Sequence, residues 1–341
     1  MRSHPQPPDL IGQSKIFLDA LDHASRVAPV NRPVLVVGER GAGKELFAAR
    51  IHFLSSRWDG PFIKVNCAAM SEELLESELF GHEAGAFTGA TKRHKGRFER
   101  AQGGSLFLDE IASASLRVQE KLLRVIEYGE YERIGGEETR QADVRVIAAA
   151  NVDLRNAARQ GKFRADLLDR LAFDVVFAPP LRQRPEDISL LAAYFAQGVA
   201  SELGVEFPGF SPSGIAQLRA YHWPGNVREL KNAAERAIYF WADSGSKAPI
   251  DQIIIDPFEA AFGAIDETKN TDVDEPAGST NTTNWSEKVS DLRAYLYAIE
   301  KEIAGEVLQK YAGNQTKAAK ALSLTYDQMR GIIKKHNLQT D

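Results

Sequence analysis

The stretch Val34–Glu45, VLVVGERGAGKE, carries four apolar residues into a glycine-rich turn that ends in a lysine. Gly38, Gly43 and Lys44 satisfy G-x-x-x-x-G-K, in which backbone N–H groups close around phosphate oxygens and the lysine reaches the β- and γ-phosphates. Gly38, Glu39, Arg40, Gly41, Ala42, Gly43, Lys44 and Glu45 are therefore the expected cradle of a nucleoside triphosphate. Most such loops continue with Ser or Thr, whose hydroxyl binds Mg²⁺, but here Glu45 follows the lysine. Downstream, Ser105–Glu110 reads SLFLDE, an apolar strand ending in two carboxylates. Asp109 is expected to hold the Mg²⁺ of bound ATP, directly or through water, and Glu110 to orient and activate the attacking water. Acidic pairs after strands are common, so this assignment leans on the phosphate loop before it.

Such residues need a rigid frame. Val34, Val36 and Val37 read as a buried parallel strand, and Leu46, Ala49, Ile51 and Leu54 as the apolar face of a following helix. Ser14–Val27 has helical spacing at Phe17, Leu21 and Ala24. Phe62–Val65 predicts a second strand ending at Asn66, and Ser71 with Glu72 and Glu73 an N-cap whose helix ends near Gly81. Ser115–Tyr128 fits an amphipathic helix, Tyr131–Gly136 a glycine-ended loop, and Val144–Ala149 another buried strand running to Asn151. Beyond the proline- and arginine-rich connector 179–185 the apolar spacing is helical through about Trp241.

The 341 residues are 43% hydrophobic, enough for a large core and two or three domains, and the formal net charge is −5. Nucleic-acid binding must then reside in a local basic element. A single cysteine, Cys67, excludes an internal disulfide and a cysteine-based zinc site. No apolar run approaches the roughly 18 residues of a membrane span and no export segment opens the chain, so a cytoplasmic protein without membrane insertion is expected.

Gly81–Ala90, GHEAGAFTGA, sets Phe87 and Thr88 among glycines that permit a tight, mobile loop. The hexapeptide Gly85, Ala86, Phe87, Thr88, Gly89 and Ala90 resembles without mismatch the signature of bacterial enhancer-binding activators of sigma-54 RNA polymerase, and G-E-x-G-x-G-K-E in that family accounts for Glu45. The resemblance covers about residues 10–255 and the C-terminal end. It implies an AAA+ P-loop NTPase, with an αβα core on a parallel sheet and a helical lid, in which ATP hydrolysis drives the 85–90 loop against sigma-54. It further implies that Asn66 hydrogen-bonds Glu110 and restrains it, and that Asn151 senses the γ-phosphate. The usual preceding threonine is replaced here by Ala150. Arg228 in WPGNVREL matches a second sensor. Arg164 and Arg170 in FRADLLDRL read from sequence as a salt-bridged helical surface; in the resembling family they reach the ATP of a neighbouring subunit, which implies a hexameric ring.

The resulting division is a lead at 1–9, an ATPase core at 10–180, a lid at 181–258, a flexible acidic linker at 259–286 and an all-α DNA-binding domain at 287–341. In the last, Asn314–Asn337 reads as a Fis-type helix-turn-helix for double-stranded enhancer DNA. Ala318, Ala319 and Leu322 are expected to pack on Met329, Ile332 and Ile333. Thr316, Lys317, Thr325, Tyr326, Gln328, Arg330, Lys334 and Lys335 are the candidate DNA contacts; a small bundle for assembly alone is the alternative. Trp58, in SSRWDGPF, is either an exposed anchor for a regulatory partner or folded onto its helix. SSRWDGPF, EYGEYERIGG and IIIDPF resemble one branch of the family, whose activator is held off in trans by a membrane-stress protein. Three rivals stand beside this reading: an activator of another operon lacking a control domain, a different AAA+ remodeller, and a non-catalytic regulator that uses ATP only for assembly.

Overall fold

The computed structural model describes residues 10–257 and, apart from scattered positions, 297–338. The lead at 1–9 and the linker at 259–286 lie outside the described residues. The chain divides into two compact units, Met1–Ala264 and Ile265–Asp341.

In the first unit, β1 (Val34–Val37), β2 (Phe62–Asn66), β3 (Ser105–Asp109), β6 (Arg145–Ala150) and β7 (Val175–Phe177) form a parallel sheet in the order β2-β3-β6-β1-β7. Alternate side chains serve opposite faces. Leu106, Leu108, Val146 and Ala148 pack with residues of α3 (Glu72–Phe80), α5 (Leu116–Tyr128) and α7 (Ala165–Leu171). Val34, Val36, Phe107, Ile147 and Ala149 pack with α1 (Lys15–Val27) and α2 (Lys44–Phe53). Both faces are covered, which is why the central strands are apolar throughout. The register sets Val37 beside Ala150 and Asn66 beside Asp109, so these strands deliver their C-terminal ends to one edge.

A helical lid follows, made of α8 (Pro185–Leu203), α9 (Pro212–Ala220) and α10 (Asn226–Asp243). Proline opens α8 and α9, where a missing N–H costs nothing. Trp223 is fully buried in the lid core and donates its indole N–H to the Leu218 carbonyl at 2.8 Å.

Two local expectations are corrected. Of the segment expected as a loop at 131–136, Tyr131 and Glu132 belong instead to β4 (Glu130–Glu132), which pairs antiparallel with β5 (Thr139–Gln141) to form a ribbon, while 133–136 lie in the connection between them. The ribbon's polar three-residue strands carry no alternating apolar signal. Ser71 does precede α3, but its side chain makes no capping hydrogen bond.

In the second unit, α11 (Gln315–Ala321) and α12 (Tyr326–His336) join a preceding helical segment through Ala304, Leu308, Ala318, Ala319 and Met329, with Leu322, Ile332 and Ile333 against them. The expected packing is met. Thr325 and Gln328 form a reciprocal cap at the start of α12: the Gln328 N–H donates to Thr325 Oγ1 at 3.3 Å and the Thr325 N–H to Gln328 Oε1 at 2.9 Å.

Two buried polar side chains brace the first unit. Arg145 donates to the carbonyls of Val27, Ala28 and Arg32, closing the end of α1 where it turns into β1. His52 is stacked on Phe62 and bonded through Nδ1 to Ser105 Oγ at 2.9 Å. Burial, reinforced by the Arg145 charge and opposed by Asp59, pushes the His52 pKa down to about 4. The unfolded chain takes up this proton near 6.5, so the stabilisation is complete above that pH and is lost as pH falls toward 4. It amounts to about 3 kcal/mol. Denaturant titrations of wild type and His52→Gln at pH 7 and pH 4.5 are expected to show a smaller acid-dependent loss in the variant; an equal loss in both would remove His52 as its source.

Candidate active site

The phosphate loop leaves β1, between β6 and β7, and enters α2 at Lys44. Gly41 and Gly43 adopt φ of 77° and 96°, which side chains disfavour. A Cβ on Gly41 would also lie 2.2 Å from the Gly225 carbonyl oxygen, so this glycine admits the lid to the loop. The loop is stitched to the lid by polar contacts: Val227 N–H to Gly41 O at 3.1 Å, Asn226 Nδ2 to Arg40 O at 3.0 Å and to Glu39 Oε2 at 3.1 Å, and Arg182 paired with Glu39. The Arg182 hydrogen bonds hold the Glu39 carboxyl below the usual range.

Lys44 is buried and donates to the carbonyls of Gly38 and Glu39, both at 2.9 Å. Burial lowers its pKa, with Asp109 and Glu110 opposing, so an anionic ligand at this point relieves a desolvated cation. Asp109 ends β3; its carboxyl accepts the Glu110 N–H at 3.0 Å, and burial raises its pKa. Glu110 has φ of 52°, a left-handed conformation unusual outside glycine and found where side chains must be aimed. A half-buried hard carboxylate beside a phosphate cradle fits Mg²⁺, which takes most of its ligands from phosphate oxygens and water. Among the described residues no cluster of acidic or histidine side chains could hold a metal alone.

The remaining expected residues fall as follows. Glu45 pairs with Lys64 of β2 at 2.6 Å. Asn66 lies in register with Asp109, but its Oδ1 accepts the Ala68 N–H at 2.8 Å and it makes no hydrogen bond to Glu110. The expected hydrogen bond to Glu110 is not made in this structure, although the turn to Ala68 uses only the amide oxygen and leaves the side-chain N–H groups to donate. Asn151 follows β6 on the same edge and is exposed; Ala150 is buried in the core, while its carbonyl accepts the Gly38 N–H at 3.1 Å. Arg228 is exposed beside Gly41 and contributes to lowering the Lys44 pKa. Arg164 pairs with Asp166 at 2.7 Å and Arg170 with Glu127 at 2.6 Å. These exposed pairs are weak enough to exchange partners.

Sequence reasoning missed an apolar pocket against the loop, lined in part by Leu10, Ile11, Leu191, Phe195 and Val227 along with Ala42 and Gly43. Its walls come from both ends of the first unit, a long-range pairing that local periodicity cannot reveal.

The 85–90 segment is a turn whose ends close through Gly85 N–H to Ala90 O at 2.7 Å. Gly85 and Gly89 have φ of 84° and 102° with open space around them, so conformation alone selects glycine. Phe87 is 48% exposed and meets His82 edge to face at 4.9 Å. The base of the turn is tied to the β4–β5 ribbon by Glu83 N–H to Ile134 O at 3.0 Å and by buried Arg133, which pairs with Glu83 at 2.6 Å and with Glu99. Trp58 is 53% exposed.

In the second unit Thr316, Lys317, Thr325, Tyr326, Gln328, Arg330, Lys334 and Lys335 are exposed, and Lys335 pairs with Glu300 at 2.5 Å.

Residues 10–176 match the family described as the sigma-54 interaction domain, and 182–250 the AAA+ ATPase lid domain. The chain is 52% identical over 331 residues to the Psp operon transcriptional activator of Escherichia coli K12, spanning 97% of this chain and 98% of that protein. It is 39% identical to the Nif-specific regulatory protein of Herbaspirillum seropedicae, of which it covers 62%. Crystal structures of NtrX from Brucella abortus in complex with ADP and with ATP superpose with TM-scores of 0.67 and 0.68, at 32% and 31% identity, over 97% of this chain and 70% of NtrX.

Gly41→Ala is expected to weaken ATP binding about tenfold or more with the fold retained, because the lid must yield to the new methyl. Calorimetric titration with ATP checks this; wild-type affinity would show that the loop does not depend on the lid.

Proposed function

The chain belongs to the family of sigma-54-interacting AAA+ ATPases, and on that footing we propose that it activates transcription of the phage shock protein operon by opening the sigma-54 RNA polymerase closed complex. The observation that carries this reading is the coexistence of an intact hydrolytic pair, Asp109 and Glu110, with a complete 85–90 signature loop braced by the β4–β5 ribbon. The 52% identity to the Psp activator across nearly the whole of both chains supports the operon. An activator of another operon is the second reading.

In the proposed cycle Gly38–Glu45 cradle the phosphates of ATP and Lys44 exchanges its loop carbonyls for phosphate oxygens. Asp109 would hold Mg²⁺, which would supply charge neutralisation at the phosphates. Glu110 orients water, Asn151 and Arg228 read the phosphates, and Asn66 restrains Glu110 by donating its side-chain N–H to the carboxylate. Arg164 and Arg170 leave Asp166 and Glu127 to reach the ATP of a neighbouring copy. Such arginines are worth roughly 10³–10⁵ in turnover, about 4–7 kcal/mol of barrier. That dependence makes a ring, proposed as a hexamer, the working form. Gly85, Ala86, Phe87, Thr88, Gly89 and Ala90 form the sigma-54 contact.

For the second unit we propose a helix-turn-helix bound to enhancer DNA through Thr316, Lys317, Tyr326, Arg330 and Lys334. Thr325, Gln328 and Lys335 are proposed alongside them as base or phosphate contacts, Thr325 and Gln328 also capping α12 and Lys335 pairing with Glu300. Trp58 is proposed as part of the surface by which the membrane-stress protein PspA restrains the activator. Among the described residues no helix is long and apolar enough to cross a membrane, in keeping with a proposed cytoplasmic location.

Open-complex formation by purified sigma-54 polymerase on supercoiled psp promoter, followed alongside ATP hydrolysis, tests the function. Wild type is expected to open the promoter, and Thr88→Ala to hydrolyse ATP without doing so. Hydrolysis by wild type with no opening at any sigma-54 promoter would favour a different AAA+ remodeller.

A further inference from the structure

The chain between Leu10 and Ser14 is held from a distance of more than 170 residues. Asp187, in the first turn of α8, is fully buried and accepts three hydrogen bonds there: from the Gln13 N–H at 2.7 Å, the Ser14 N–H at 2.9 Å and the Ser14 hydroxyl at 2.7 Å. Ser14 occupies the N-cap of α1, yet its hydroxyl does not cap its own helix; it is spent on Asp187. One carboxylate from the lid therefore serves the backbone N–H groups of the two residues that lead into α1. The fit is close on both sides: a Cβ on Gly12 would lie 2.4 Å from the Phe17 ring and 3.0 Å from Asp187 Oδ2.

Directly before this latch, Leu10 and Ile11 form one wall of the apolar pocket whose other walls are Leu191 and Phe195 of the lid and Ala42 and Gly43 of the phosphate loop. Arg184, one turn before Asp187, lies 4.8 Å from the Phe17 ring centre and donates to the Ala42 carbonyl at 3.3 Å. Strap, lid and phosphate loop thus meet at one place, beside the cradle for the triphosphate.

We infer that Asp187 is a positioning residue for nucleotide binding: by latching Gln13 and Ser14 it holds Leu10 and Ile11 as the wall against which the base of ATP packs. The inference rests on the reading of Gly38–Glu45 as a triphosphate cradle. An ordered strap spares the ligand the cost of ordering it, so the latch acts on affinity for the base-bearing part of the ligand. The phosphate loop needs no such help to bind phosphates.

Two ligands separate these contributions. Inorganic tripolyphosphate engages only the cradle, whereas ATP engages cradle and pocket. Full-length Asp187→Ala and Ser14→Ala are titrated with each by calorimetry, with thermal melts as a check on folding. ATP affinity is expected to fall about tenfold in Asp187→Ala and about threefold in Ser14→Ala, with tripolyphosphate affinity within twofold of wild type. Should Asp187→Ala fail to fold, Ser14→Ala, which removes one hydrogen bond of the three, carries the test. Equal weakening toward both ligands, or no change toward ATP, overturns the latch. Failure of wild type to bind either ligand would instead overturn the cradle itself.

Discussion

The junction between phosphate loop and lid rests on Glu39. Its carboxylate takes Arg182 from the connector and Asn226 from the start of α10, while Asn226 reaches the Arg40 carbonyl and accepts the Leu181 N–H at 2.8 Å. Asn226 is buried at φ of 53°, a geometry that asparagine tolerates better than most side chains. The lid is thereby registered on the very residues that must enclose a triphosphate, and the bare flank of Gly41 lets it approach. An AAA+ ATPase needs this joint because phosphate chemistry at the sheet edge has to be felt by a separate layer of helices.

A second route leads from Asp109 and Glu110 along continuous chain to the β4–β5 ribbon and across it to the 85–90 turn. Glu110, in its left-handed conformation, opens a short 3₁₀ turn at Ile111–Ser113, and α5 follows. That helix ends at Gly129, directly before the β4–β5 ribbon, whose Arg133 and Ile134 grip the base of the turn at Glu83 and Gly81. Buried Arg133, shared between Glu83 and Glu99, is costly to leave unpaired, so it ties the ribbon to the base of the turn. Phe87 waits at the end of this path, half-exposed on His82.

Much of this was legible from residue order. The strands at 34–37 and 105–109 announce themselves through unbroken apolar runs, and the phosphate loop through glycine spacing, because both signals are local. What escaped is polar and distant. Asp187 serving Gln13 and Ser14, Arg145 closing α1 and Glu39 joining the lid all pair residues more than 100 positions apart. The β4–β5 ribbon escaped because it is too short and too charged to alternate. Asn66 illustrates a subtler limit: its place next to Asp109 was readable, but the turn that occupies its amide oxygen was not.

The claim on which the account turns is that the state of the nucleotide site is transmitted to the 85–90 turn through α5 and the ribbon. Hydrogen exchange of the full-length protein, with and without ADP and aluminium fluoride, measures this directly. The account predicts altered protection at 82–94 and 130–141 as well as at 38–45. A change confined to 38–45 and the lid, with 82–94 and 130–141 unaltered, would contradict it.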